Sequence, residues 1–219
     1  MPNGRVLSTA LALILVLAGV GKAQATTIGA AYFVSEAQSQ NAVIGFAHGA
    51  PVATFSAPNG PIDFSSFVCG TCYQLGDFLL SNPGTIILTG SPADLASPID
   101  VGGANPHGLM LEITGQVSVV NGQTFTVTHD DGLQLMIGGL LVVNTPGPTP
   151  PVTTTVTYSG PTGTFAFDLV YGECCGAPAR LQTSLPLTSS TVPEPATLAL
   201  VGLGVAGLGA SRRRRRAQL

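Results

Sequence analysis

Glycine, proline, serine and threonine break this sequence every few residues, and that punctuation limits what the chain can fold into. The runs between the breaks show almost no 3.6-residue period. They favour Val, Ile, Thr and Phe, residues that suit a pleated strand. With 28 glycines and 17 prolines in 219 residues, turn formers stand at nearly every junction.

Candidate strands in the first half are Ile28–Val34, Val52–Phe55 and Ile86–Thr89, with Tyr73–Leu80 as a further one; Ser91–His107 reads as a long loop. From Leu109 the pattern sharpens. Leu109–Val120 is a long strand with a break expected at Gly115, and Asn121-Gly122 has the chemistry of a two-residue hairpin turn. In Gln123–His129, Phe125 and Val127 fall on one face and Thr124, Thr126 and Thr128 on the other. Asp130-Asp131-Gly132 turns the chain into Leu133–Ile137, and Gly138-Gly139 turns it into Leu140–Val143. Asn144–Pro151 is a rigid proline-rich loop. Val152–Tyr158 and Thr164–Tyr171 read as a second hairpin around Ser159–Gly163, Gly172–Pro178 as a loop, and Ala179–Leu187 as the last strand. Many short strands with such junctions predict an all-β fold, an antiparallel β-sandwich of jelly-roll type.

The two ends are separate from that domain. Arg5, the apolar run Val6–Gly21 and Ala23-Gln24-Ala25 have the form of a signal peptide, residues 1–25, with the mature chain starting at Thr26. A sandwich domain over 26–187 and a Ser/Thr linker at 188–191 follow. The final segment, 192–219, holds Pro193-Glu194-Pro195, an uncharged run at 196–210, and the cluster Arg212, Arg213, Arg214, Arg215 and Arg216. As a helix, 196–210 spans roughly 22 Å, short against a hydrocarbon core of about 30 Å. Its four glycines weaken it further. The arginines would stay on the cytoplasmic side. This order of Pro-Glu-Pro box, short transmembrane helix and terminal arginines resembles the PEP-CTERM sorting tail of exported bacterial proteins. The resemblance implies an exosortase, a membrane protease or transpeptidase, as partner, and transient anchoring in the inner membrane. The cell surface or extracellular matrix is the implied destination.

The charge of the mature segment excludes some partners. Between Thr26 and Thr191 there are 10 acids against 1 base, Arg180, a net of −9, although the whole chain sums to −3. Such a surface repels nucleic acid and anionic lipid and tolerates divalent cations.

The four cysteines, Cys69, Cys72, Cys174 and Cys175, predict disulfides in an exported protein. A bond between adjacent cysteines is strained, so two bridges joining the Cys69/Cys72 loop to the Cys174/Cys175 loop are expected. A Cys-x-x-Cys redox site and a four-cysteine zinc site are the rival readings. The histidines, His48, His107 and His129, are scattered. His129 abuts Asp130 and reads as a strand-end surface residue or a helper at a metal site. No nucleophile elbow, zinc-protease or phosphate-cradling motif is present, and nothing selects a carboxylate pair for glycoside hydrolysis.

The stretch from Phe125 to Asn144, with Asp130-Asp131-Gly132 between strands, resembles the centre of protective-antigen-type β-sandwich domains, and Tyr171-Gly172-Glu173 matches their closing strand. The resemblance spans about 109–187. That family includes carbohydrate-binding modules and flocculin-type adhesins, in which paired aspartates at this turn hold calcium against sugar hydroxyls. Carried over, it implies Ca2+ ligands at Asp130, Asp131 and Glu173, although the adhesins often use an amide where this chain has Glu173. The residues alone also fit a plain turn, since Asp and Gly are favoured there. The expected function is therefore a non-catalytic surface or matrix protein with calcium-assisted binding of a polysaccharide. The alternatives are a purely structural biofilm-matrix component and, less favoured, a secreted carbohydrate-active hydrolase.

Overall fold

The computed structural model describes residues 26–58, 61–66, 74–99, 107–176 and 178–188. The signal-peptide segment, Cys69, Cys72, residues 189–191 of the linker and the sorting tail lie outside the described residues. No helix among the described residues is long and apolar enough to cross a membrane.

The fold is an all-β antiparallel sandwich. Eleven strands follow one another: β1 (Thr26–Ser35), β2 (Ala53–Pro58), β3 (Asp63–Ser65), β4 (Ile87–Gly90), β5 (His107–Val119), β6 (Thr124–Asp130), β7 (Leu133–Ile137), β8 (Leu140–Thr145), β9 (Val152–Thr157), β10 (Gly163–Glu173) and β11 (Arg180–Thr183). Three short helices interrupt them: α1 (Glu36–Ser39), α2 (Leu75–Leu80) and α3 (Pro92–Leu95). The large sheet has the order β4-β2-β1-β5-β10-β7-β8, and the small one β3-β11-β6-β9.

The alternation of side chains along the strands builds the core. On the large sheet Phe55, Leu111, Ile113, Leu135, Leu169 and Tyr171 face inward, meeting Phe64, Phe125, Val127 and Leu181 of the small sheet. Phe55 and Phe64 touch edge-on across the gap, ring centroids 5.3 Å apart. A second cluster, Tyr32, Val34, Ala42, Met110 and Val170, lies on the other face of the large sheet, packed by Ile44 and Phe46 of the segment after α1. Ser35 caps α1 by accepting the Gln38 N–H, and the Gln38 side chain reciprocates.

Several expectations require correction. Asn121-Gly122 forms a tight turn, with Gln123 N–H donating to the Val120 carbonyl at 2.9 Å. It does not make a hairpin: β5 pairs with β1 and β10, and β6 with β11 and β9. The turn hands the chain from one sheet to the other, because the apolar face of β6 covers the large sheet instead of extending it. The same holds around Ser159–Gly163, where β9 belongs to the small sheet and β10 to the large one. By contrast β7 and β8 do form a hairpin, with Gly138 and Gly139 both at positive φ (58° and 84°), as a two-residue turn of this hand requires. β5 runs unbroken through Gly115. Leu75–Leu80 is helical, burying Leu75, Phe78 and Leu79 at helical spacing. The expected loop from Ser91 contains α3, and His107 already belongs to β5. After β11 the chain leaves the small sheet. Leu187 bridges to Val117, and Thr188 N–H donates to the Gln116 carbonyl, so the described chain ends against the distal half of β5.

Candidate functional site

The Asp130-Asp131-Gly132 turn crosses from β6 to β7 at the opposite pole from Thr188. Three other segments meet it there: the loop after β8 at residues 146–151, the end of β10, and the turn after α1. Gly132 is required by close approach, since a Cβ on it would lie 2.0 Å from the Pro146 carbonyl oxygen. The Gly132 carbonyl accepts the Gly172 N–H at 2.9 Å, and the Pro146 carbonyl accepts the Ala42 N–H at 3.0 Å.

Asp131 is the hub. Its Oδ1 accepts the Thr149 N–H at 3.0 Å and its Oδ2 accepts the Cys174 N–H at 2.8 Å. Only 5% of the residue is exposed. The Asp130–Asp131 peptide is cis. The Asp130 carbonyl is hydrogen-bonded to the Tyr171 hydroxyl, which also meets Glu173 Oε2. The Arg180 N–H donates to the same phenolic oxygen at 3.2 Å. Tyr171 is fully buried and stacks on Phe78. Burial first, then the Glu173 carboxylate, holds its hydroxyl well above the usual phenol range.

The three residues expected to hold a metal therefore differ in placement: Asp130 and Glu173 share the Tyr171 hydroxyl, whereas Asp131 accepts from Thr149 and Cys174. Among the described residues, the one group of His, Cys, Asp or Glu whose ligand atoms lie within 4.8 Å of one another is Asp131, Cys174 and Cys175. Glu173 is not in a loop: it closes β10, is completely buried, and contacts Tyr171 two residues before it on the same face. Asp130 and Asp131 present hard oxygen donors of the kind calcium takes. By chemical type this donor set suits calcium, but the ligand atoms that lie together include Asp131 and neither Asp130 nor Glu173. The two sulfurs do not add to it, since as a disulfide they are not thiolates.

Cys174 and Cys175 are bonded to each other, their Cα atoms 3.8 Å apart. This overturns the expected bridges from Cys174 and Cys175 to the Cys69/Cys72 loop. Cys174 is pinned by its N–H to Asp131, and Cys175 adopts φ 69° and accepts from Gln40 Nε2 at 3.4 Å.

His129 is not a surface residue. It is completely buried, with Nδ1 hydrogen-bonded to the Asp131 carbonyl and Nε2 3.2 Å from Thr145 Oγ1. A carbonyl only accepts, so Nδ1 carries the proton. The signal was present in the alternation: residue 129 shares its parity with Phe125 and Val127. His48 and His107 pack on aromatic rings, His48 tilted against Tyr32 at 4.1 Å and His107 stacked on Phe33 at 5.9 Å. Thr149 is the member of this pole that sequence alone did not single out, and Tyr171 entered only through the Tyr171-Gly172-Glu173 match, without a role.

Residues 191–215 match the PEP-CTERM protein-sorting motif. The motif marks an exported protein sorted through the membrane. No curated protein matches the chain in sequence. Among solved structures the chain is similar to a PA14 sugar-binding domain from an RTX adhesin, with 21% identity, 74% of this chain and 89% of that chain covered, and a TM-score of 0.49. It is also similar to the PA14 domain of the antifreeze protein MpAFP, with 22% identity, 76% and 83% covered, and a TM-score of 0.44. A third likeness, to an anti-sigma factor domain-containing protein, has 17% identity, 80% and 50% covered, and a TM-score of 0.43.

Proposed function

We propose that this is a non-catalytic glycan-binding protein of the cell surface or extracellular matrix, assisted by calcium at Asp130 and Asp131. Export would remove residues 1–25, and an exosortase would cleave within the tail at 192–219, releasing or transferring the sandwich domain. The observation that carries the reading is the position of Asp131. One carboxylate ties the Asp-Asp-Gly turn, the 146–151 loop and the end of β10 into a single pole. Of these, the Asp-Asp-Gly turn and the segment around Glu173 are the two that the sequence resemblance to calcium-dependent adhesins expects to meet. Calcium, when bound, would supply a positive charge to which neighbouring sugar hydroxyls coordinate. The chain's own part is to hold the two aspartates rigidly. Glu173 acts from behind, through Tyr171 and the Asp130 carbonyl.

A second reading has its own support. Both Asp131 oxygens accept backbone N–H groups, which is also what a purely structural carboxylate does. A thermal melt of the exported protein in calcium and in EDTA separates the two. A ligand at about 100 times its dissociation constant adds roughly 2.7 kcal/mol, a shift of several degrees for a domain of this size. The calcium-binding reading expects that calcium-dependent increment in the wild type and its loss in Asp130→Asn and Asp131→Asn, with polysaccharide retention abolished by EDTA. Identical melts with and without millimolar calcium would leave the structural matrix reading.

A further inference from the structure

We infer that the open edge of β9 is a self-association surface, where a second copy of this chain adds its own β9 in antiparallel register. Strand β9 ends the small sheet and is bonded on one side only, to β6. Tyr158 directs its N–H and carbonyl toward the β6 side, to the Gln123 carbonyl and the Gly122 N–H. Alternation then turns Val156, Thr154 and Val152 toward β6 and leaves the amides of Thr153, Thr155 and Thr157 at the free edge. No hydrogen bond to those three amides occurs among the described residues.

Edge strands are normally protected by lysines, prolines, bulges or covering loops. Here β9 reads Val-Thr-Thr-Thr-Val-Thr, with no charge, no proline and no register shift against β6. The three edge residues are exposed. Their side chains stand on the outer face beside Thr124, Thr126 and Thr128 of β6, making a threonine ladder, with Thr128 Oγ1 2.8 Å from Thr153 Oγ1.

Charge selects a second copy as the occupant. The segment from Thr26 to Thr191 carries −9, so two copies repel each other at most approaches. From Gly132 to Phe167, however, there is no charged residue at all, and both β8 and β9, the last strands of their sheets, lie in that stretch. This flank is where like-charged copies can meet without opposing charges close together. A two-fold axis at Thr155 sets Thr155 opposite itself and Thr153 opposite Thr157, joining two small sheets into one.

The test is sedimentation equilibrium of the exported protein over a range of concentration and salt. The wild type should dimerise, and more strongly as salt screens the −9 charge. Thr155→Pro removes an edge N–H that β6 does not use, and Thr155→Lys installs a natural edge blocker. Each change acts twice at a two-fold contact, so the dimer constant should weaken by roughly tenfold or more. Melting temperatures at dilute concentration should stay unchanged, which separates a lost contact from misfolding. A wild type that stays monomeric up to its solubility limit would overturn the inference. So would a dimer that survives in both variants, or a monomer whose Thr155→Pro variant loses only polysaccharide retention.

Discussion

Asp131 accepts the backbone N–H of Cys174 at 2.8 Å, so the crossing between the two sheets is fastened to the last residue before the Cys174–Cys175 loop turns. Its other oxygen holds Thr149. Asp131→Ala leaves two N–H groups without their anionic acceptor, one of them on a buried residue. Hydrogen bonds to charged groups contribute about 1.5–3 kcal/mol each, so we expect a loss of about 3–6 kcal/mol in urea unfolding, with the m-value unchanged. A loss under 0.5 kcal/mol would show that the hub is dispensable.

Tyr171 should govern the alkaline limb of stability. Its hydroxyl is held above the ordinary phenol value of 10.0 by burial and then by Glu173. The folded state keeps the proton that the unfolded state releases first. Stability is therefore fully present below about pH 10 and falls as pH rises beyond it. Tyr171→Phe should lower stability at neutral pH, since it strips the Asp130 carbonyl and the Arg180 N–H of their partner. It should also flatten the decline above pH 10, read from melts across pH 8–11.

Asp168 should behave as a destabilising carboxylate. It sits on the outer face of β10, raised above its ordinary 3.8 first by burial and then by the Glu112 charge, and Oδ1 has no hydrogen-bond partner among the described residues. A raised carboxyl binds its proton more tightly when folded, so stability declines as pH rises through the folded value. Asp168→Asn should melt higher than the wild type at pH 7, with the gap closing below about pH 4. An equal or lower melt at pH 7 would remove the argument.

Gly132→Ala tests the packing of the pole without touching a charge. The added methyl would lie 2.0 Å from a backbone oxygen of Pro146. The 146–151 loop must move, and the Thr149 contact to Asp131 with it. We expect about 2–4 kcal/mol of destabilisation, together with a weaker calcium increment if the aspartates bind the ion. A neutral substitution would mean that the loop yields freely.

Local chemistry made much of this architecture legible. The alternation in β6, the Gly138-Gly139 turn and the long apolar β5 are all written in neighbouring residues. What local chemistry does not carry is the choice of sheet. Asn121-Gly122 specifies a tight reversal, yet whether the next strand pairs beside β5 or lies over it depends on β11, dozens of residues later. The helix at Leu75–Leu80 was hidden because six residues offer one helical repeat, and Leu75, Phe78 and Leu79 also pass for a strand. At the site, the Asp-Asp-Gly turn was visible. The tie from Asp131 to the end of β10 was not, since it joins residues 43 apart in sequence. His129 shows the opposite case, a burial the β6 pattern contained.

The last described residue, Thr188, is bonded to Gln116, whereas Glu173 lies opposite Leu109 at the far end of the same strand. Seven residues of β5 separate those points, roughly 23 Å. A molecule held by anything beyond Thr188 therefore stands like a pin in its cushion, with the Asp131 pole as its head. Cutting the shank would leave the head unchanged, so under the proposed function capture of a ligand and release from the cell would be timed independently.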